Sequence, residues 1–242
     1  MAILELQNVS FLYSNLTIVQ EQDLSFESGE IVSIMGPSGC GKSTVLRLLA
    51  GLEKPSSGKY FFNGELLERP STELRFSFQD FDAFPWKTVN ENLLFSGATT
   101  DSGESTFNIN ELIGKIGLNN HEHKFPSELS GGMRKRLALG RCLAGKPKVI
   151  LLDEPFSSLD VDARQEMYNL LQLLWMEWNC LFVIVTHDIH EAIILSQRII
   201  LSKALPFRKK NEIKVPFKYP RDNSVIDTPE YRSLIYETRT SQ

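Results

Sequence analysis

The sequence predicts an α/β fold built on a parallel, doubly wound sheet, on three observations. Short, fully apolar runs recur at residues 31–35, 149–152 and 181–185, the pattern of strands buried on both faces. Segments with apolar residues at i, i+3 and i+4 stand between them. A glycine-rich turn follows the first run directly. Strands that alternate with helices pair in parallel with helices on both faces.

Residues 4–11 and 24–26 alternate apolar and polar side chains, which reads as a small antiparallel sheet ahead of the core. After the glycine-rich turn, Val45, Leu46, Leu48, Leu49 and Leu52 have helical spacing, and Gly51 with residues 55–58 marks the stop. Residues 96–106 are rich in Gly, Ser and Thr, and read as a mobile loop within a mainly helical insertion at about 87–145. Met167, Leu170, Leu171, Leu174 and Trp178 form one stripe of a helix packed on the sheet. From Pro206 the periodicity weakens into a charged tail, with Arg208, Lys209 and Lys210 as a solvated run.

The bulk numbers bound the function. The chain has 242 residues, 42% hydrophobic and 23% charged, with a formal net charge of −4. That length suits one α/β domain with a small subdomain, and the charge gives no electrostatic reason to expect nucleic acid. Cys40, Cys142 and Cys180 are scattered and odd in number, which favours a reducing compartment. Residues 1–6 lack the basic and apolar regions of a leader, and no apolar run approaches the roughly 20 residues of a membrane helix. A membrane role therefore has to come through a partner.

Gly36, Pro37, Ser38, Gly39, Cys40, Gly41, Lys42 and Ser43 fit the phosphate-loop pattern G-x-x-x-x-G-K-S/T between a strand and a helix. In such a loop the backbone N–H groups converge on phosphate oxygens and the helix N-terminus adds positive charge. Lys42 then reaches the terminal phosphates, and Ser43 offers a hydroxyl to Mg²⁺. The second apolar run ends in Asp153 and Glu154. Two carboxylates at the carboxyl end of a strand beside that loop suit holding a metal's water shell and polarising an attacking water. Ser130, Gly131 and Gly132 precede a helix that starts near Arg134, and form a second anion-binding helix start.

The order of these motifs resembles the ABC transporter ATPase family over residues 4 to 202, and the family implies a P-loop NTPase with a RecA-like parallel core sheet, an N-terminal antiparallel β subdomain and a helical signature subdomain. By that resemblance residues 1–205 form the ATP-binding domain and 206–242 a C-terminal tail. Tyr13 looks like the aromatic that stacks on adenine, residues Gly36 to Thr44 like Walker A, and Gln79 like the Q-loop glutamine that joins Ser43 and Asp153 at Mg²⁺. Residues 129–133 resemble the signature, residues 149–153 Walker B, and Glu154 the catalytic base. Residues 157–160, ending in Asp160, look like the D-loop, and His187 like the switch histidine that contacts the γ-phosphate. The family works as a head-to-tail homodimer that binds ATP with Mg²⁺ and drives a separate permease from the cytoplasmic face of the membrane. An extracytoplasmic binding protein and the permease choose the solute.

Met133 stands where the family usually has Gln. That departure is similar to the nitrate, sulfonate and taurine importer branch. Phe84, Pro85 and Trp86, and the tail pieces Pro220, Arg221, Asp222 and Pro229, Glu230, Tyr231, resemble the same branch. Phe81, Phe84 and Trp86 read equally as a docking surface or as core. His121, His123 and His190 read as ordinary surface residues, and no transition-metal site is expected. A soluble ABC ATPase acting on nucleic acid or ribosomes is the alternative class. It would need a second cassette, a coiled coil or a basic groove, and none is found in the sequence. A GTPase or small-molecule kinase would leave residues 130–132 without a role.

Overall fold

A computed structural model describes residues 2–77, 83–97, 108–157 and 159–241. Strands β1 (Ala2–Tyr13) and β2 (Leu16–Glu27) form an antiparallel pair, and β3 (Ile31–Met35) leads through the glycine turn into α1 (Lys42–Leu49). β4 (Ser57–Phe62) and β5 (Glu65–Leu66) complete a four-stranded antiparallel sheet of order β2-β1-β4-β5. After β6 (Leu74–Ser77) come α2 (Val89–Gly97), α3 (Ile109–Lys115) and α4 (Gly131–Leu143) of the helical insertion. β7 (Val149–Asp153), α5 (Val161–Trp178), β8 (Leu181–Val185), α6 (Ile189–Leu195) and β9 (Arg198–Ser202) return to the core. β10 (Lys209–Lys214) and α7 (Pro229–Ser241) follow.

The core sheet has the order β10-β9-β3-β8-β7-β6, parallel throughout except for β10, which joins the edge antiparallel to β9. Each central strand sorts its side chains by parity. Val149 and Leu151, with Leu181, Val183 and Val185, point into a core shared with α1 and the antiparallel sheet. Their neighbours Ile150, Leu152, Phe182 and Ile184 face the opposite core, with Leu137 of α4 and Met167, Leu171 and Leu174 of α5. Successive residues of a strand point to opposite faces, so an unbroken apolar run is what a sheet covered on both sides requires.

Where the sequence pattern weakens, the chain still folds. β10 alternates weakly and carries Lys209, Lys210 and Lys214, all exposed, as suits an edge strand that must not pair with another molecule. Beyond it, Arg221 is 2% exposed. Its Nη1 donates to the carbonyl oxygens of Ile193 and Ser196 at 2.7 Å each, at the C-terminal end of α6, and Nε and Nη2 donate to the Phe217 carbonyl at 3.0 and 2.8 Å. Gln172 of α5 closes the network, accepting from the Arg221 amide at 2.6 Å and donating to its carbonyl at 2.8 Å. Burial pulls the guanidinium pKa down, yet carbonyl dipoles at a helix C-terminus favour the cation.

Arg221→Ala leaves those buried carbonyls unpaired and opens a void. We expect a loss of about 3 kcal/mol, or roughly 6–12 °C in Tm for a chain of this size. Thermal melting, with limited proteolysis releasing residues beyond 206 earlier than in wild type, checks this.

Candidate active site

The site forms where β3 ends. Gly39 and Gly41 take φ of 78° and 103°, a left-handed conformation open to glycine at little cost. Gly36 lacks space for a side chain, because a Cβ there would lie 2.6 Å from the Ser202 carbonyl oxygen. Cys40 is buried and fills the inside of the turn. α1 then begins at Lys42, and its first ladder bond runs from the Val45 amide to the Gly41 carbonyl at 3.0 Å. The amides of Lys42, Ser43 and Thr44 therefore have no partner within the helix and point as a group toward an incoming anion.

Lys42 is 6% exposed and folds back on the loop, its ammonium donating to the carbonyls of Gly36 and Pro37 at 2.8 and 2.9 Å. An open cleft of about 490 Å³ covers this loop, lined by Ser38, Gly39, Gly41, Lys42, Ser43 and Thr44 together with Ile18, Glu154 and His187.

Asp153 and Glu154 arrive from β7, one strand removed from β3. Asp153 is 7% exposed. Burial raises its pKa above the ordinary carboxylate value, Ser43 counters by hydrogen bonding, and the charge of Glu154 pushes it up again. Glu154 has φ of 46°, a strained value for a residue with a side chain, worth about 1–3 kcal/mol. The turn is pinned by the Glu154 amide, which donates to the Val185 carbonyl at 2.9 Å. Its carboxylate lies 3.3 Å from His187 Nδ1.

His187 leaves the end of β8 on a turn fixed from both sides. The Thr186 amide donates to the Ile34 carbonyl at 3.2 Å, and the Asp188 amide to the Thr186 hydroxyl at 3.0 Å. Asp188 caps α6 by accepting from the His190 and Glu191 amides at 2.8 and 3.2 Å, and pairs with Arg164 at 3.2 Å. Sequence reasoning missed Arg164 and Glu191. The adjacency of Asp188 to His187, with an acid three residues further on at the start of a helix, was the available signal.

The structure thus brings residues 36–44, Asp153, Glu154 and His187 together, and leaves other candidates apart. Ser130 is the N-cap of α4, exposed, its hydroxyl accepting from the Met133 amide at 3.3 Å. The helix starts at Gly131, three residues before the position the sequence suggested. A side chain at Gly131 would meet nothing within 4 Å, and one at Gly132 only a methyl of Leu159 at 4.0 Å. Asp160 caps α5 through the Ala163 amide at 2.8 Å and is exposed. None of the four lines the cleft. Tyr13 is 42% exposed, packs edge-on against Phe11 and donates from its hydroxyl to Glu53 at 2.9 Å. Gln79 lies outside the described residues, as do Phe81 and Ser158.

Two of the three histidines expected at the surface are corrected. His121 is half-buried, with its Nδ1 enclosed. His190 is also half-buried, its Nδ1 2.8 Å from the Tyr231 hydroxyl of α7, and burial lowers its pKa.

A sequence profile of the ABC transporter family matches residues 19–157. The chain belongs to the ABC transporter family. It is 38% identical over 201 residues to the taurine import ATP-binding protein TauB of Roseobacter denitrificans, spanning 82% of this chain and 75% of that one. It is 36% identical over 220 residues to the aliphatic sulfonates import ATP-binding protein SsuB of Bacillus cereus, spanning 91% and 87%. Among solved structures, the dimeric structure of the bacterial ABC transporter cassette MJ0796 matches with a TM-score of 0.76 and 30% identity, over 89% of this chain and 100% of that one. A second structure of that cassette holds ADP and Pi in a post-hydrolysis state, with a TM-score of 0.75. The fold is that of an ABC cassette, and the chain is an ABC-type ATPase.

Lys42→Ala removes the ammonium that lines this cleft, and with it the counter-charge expected for the terminal phosphates of a nucleotide. Nucleotide affinity measured by fluorescence or calorimetry should fall by at least about tenfold, with circular dichroism unchanged; affinity within about threefold of wild type would count against the loop as the phosphate site.

Proposed function

We propose that the cassette hydrolyses ATP in a head-to-tail homodimer and drives import of a sulfonate-type or taurine-type solute, or nitrate, through a separate permease at the cytoplasmic face of the membrane. The observation that carries this reading is the split of one chain's motifs. The cleft is lined by the phosphate loop, Glu154 and His187, with Asp153 held against Ser43 beneath it, whereas Ser130, Gly131, Gly132 and Asp160 do not line it, and all but the half-buried Gly132 are exposed. A second anion-binding helix start finds an anion only if another copy supplies the ATP. The dimeric form of the related MJ0796 cassette, and the import roles of the TauB and SsuB proteins, support the same reading.

In this mechanism the loop amides and Lys42 hold the β- and γ-phosphates, and Tyr13 offers its exposed ring to the adenine. The donor set fits Mg²⁺, a hard cation that takes one carboxylate and a hydroxyl and completes its shell with phosphate oxygens and water. Ser43 and Asp153 already touch, and Gln79 joins them by family resemblance. When bound, the ion neutralises charge on the phosphates. Glu154 accepts the proton of the attacking water, and His187, held 3.3 Å from it, faces the γ-phosphate. Ser130 and its glycines contact that phosphate from the opposite subunit.

The permease contact is assigned to an aromatic patch. Trp86 is 69% exposed, its ring tilted against Phe84 at 5.4 Å, with Phe95, also exposed, edge-on to the same Phe84 and Leu94 exposed next to it in α2. Buried Asn92 makes the patch rigid, accepting from the Phe84 amide at 2.8 Å and donating to the Phe84 and Lys87 carbonyls at 3.1 and 2.9 Å. Arg141 caps the half-buried Phe84 ring at 4.3 Å. An exposed, pre-ordered aromatic cluster suits a hydrophobic partner helix. Trp86→Ala should weaken co-purification with the permease and cut transport at least about tenfold while ATP binding stays within about twofold. A fall of many degrees in Tm would instead mark a packing role.

Glu154→Gln tests the catalytic reading. The amide keeps the size but takes no proton, so hydrolysis should drop by about 10²–10⁴-fold with ATP binding retained. Light scattering should then find a dimer with Mg-ATP and a monomer without it. Hydrolysis within a few-fold of wild type removes Glu154 from that role, and a variant that stays monomeric at saturating ATP refutes the shared site.

A further inference from the structure

Behind the turn that carries His187 lies a cavity of about 40 Å³, lined by Glu154, His187, Arg164, Thr186, Asp188 and Glu191 among others. Glu191 sits in the first turn of α6 and is 4% exposed. The Tyr168 hydroxyl reaches its Oε2 at 3.5 Å, and Thr186 also hydrogen-bonds the carboxyl group. Its Oε1 is buried and has no partner among the described residues. The same is true of Arg164 Nε, whose other nitrogens serve Asp188 at 3.2 Å and the Leu159 carbonyl at 3.1 Å.

Two buried polar atoms, one an acceptor and one a donor, therefore belong to residues that border the same small space. Buried polar groups nearly always find partners, directly or through water. The cavity is polar and exceeds the about 30 Å³ that a water occupies in the liquid.

We propose that Glu191 is a positioning residue for hydrolysis, which with Arg164 and a water held between them in this cavity fixes the turn from Thr186 to Asp188 and so holds His187 and Glu154 in register over the phosphate loop. The inference rests on the reading of His187 and Glu154 as catalytic. The chain of contacts is short. Glu191 holds Thr186, the Thr186 hydroxyl accepts from the Asp188 amide, and Asp188 is in turn tied to Arg164 and to the Glu191 amide. His187 is the residue between, with both neighbours fixed and its own side chain 64% exposed.

The charges around Glu191 come from every neighbouring element. Arg164 and Tyr168 face it from α5, Asp188, His187 and His190 from its own turn and helix, and Glu154 from the end of β7, while Tyr231 of α7 reaches the group through His190. Burial above all, with the charge of Asp188, pushes the Glu191 pKa up to about 8, against the opposing pull of Thr186, Arg164 and Tyr168. At neutral pH the group is a neutral acid, able to donate one hydrogen bond. Ionisation places a second anion beside Asp188. Because the folded pKa lies above the ordinary value of 4.5, the stabilising contribution is complete below that value and is lost as pH rises through about 8.

The experiment uses the purified full chain and measures kcat, KM for ATP, and ATP affinity from roughly pH 6.5 to 9.5, for wild type, Glu191→Gln, Glu191→Ala and His187→Ala. We expect the wild-type kcat to fall along an alkaline limb near pH 8 with KM steady. Glu191→Gln, which keeps shape and a donor, should hold within about threefold of the wild-type kcat at neutral pH and lose that limb. Glu191→Ala should lose kcat by about tenfold or more with ATP affinity within about threefold. An alkaline limb that persists in Glu191→Gln overturns the proposal. So does a Glu191→Ala protein that melts earlier but turns over like wild type below its Tm. If Glu191→Ala does not fold, the Glu191→Gln profile decides alone. Wild-type turnover in His187→Ala would sink the catalytic reading itself, whereas an inactive His187→Ala beside Glu191 variants with the wild-type profile sinks only this inference.

Discussion

Parallel pairing of β3 with β8, and of β8 with β7, sets the position of everything else in the site. In the observed register Ile34 lies opposite Val185, and Val185 opposite Asp153. Because the strands run the same way, the phosphate loop, the Thr186–Asp188 turn and the Asp153–Glu154 pair all leave the sheet at one end. The amide of Glu154 bonds to the carbonyl of Val185, and the amide of Thr186 to that of Ile34. The ladder is therefore continued by one bond on each side into the turns that carry Glu154 and His187. A slip of one residue in either pair would turn the apolar side chains to the wrong cores and carry the turns out of reach of the cleft.

The two cores enforce that register. Val149 and Leu151 face α1 and the antiparallel sheet, while Ile150 and Leu152 face α5 and the helical insertion. α1 is thus clamped between two sheets with its N-terminus at the loop. Burying each of these side chains contributes roughly 1.5–3 kcal/mol, which offsets the strain at Glu154 and the burial of Lys42 and Asp153. The exposed Ser130 and Asp160 are, by contrast, held only by their own helix caps. Their positions are free to be tuned for a surface rather than for the core.

Much of this was legible in the sequence because it depends on local rules. Residues 36–43 need glycine where φ is positive and a lysine at the helix start, so spacing alone pointed to them. The unbroken apolar runs at 149–152 and 181–185 announced buried strands. What stayed hidden depends on distant partners. β10 reads as a charged tail because an edge strand pairs on one side only and its lysines face solvent. β4 and β6 were not separated from their surroundings, since each is short and interrupted by polar residues. Arg221 gave no sign of burial, for its partners are carbonyls of α6 and of a loop, and carbonyls carry no sequence signature. Glu191 was passed over for the same reason: a helix-start acid is ordinarily solvated, and only the packing of α5 and α6 encloses it. His190 was misjudged because its partner Tyr231, in α7, lies 41 residues away in the chain.

The left-handed backbone of Glu154 sets selection against thermodynamics at a single position. At φ of 46°, glycine or asparagine would sit more comfortably than glutamate. A lineage released from the need to turn over nucleotide would drift toward those residues and become more robust as it lost its chemistry. The same exchange that eased the turn would take away the carboxylate that lines the cleft 3.3 Å from His187, so comfort of the backbone and an acid at this point of the site exclude one another.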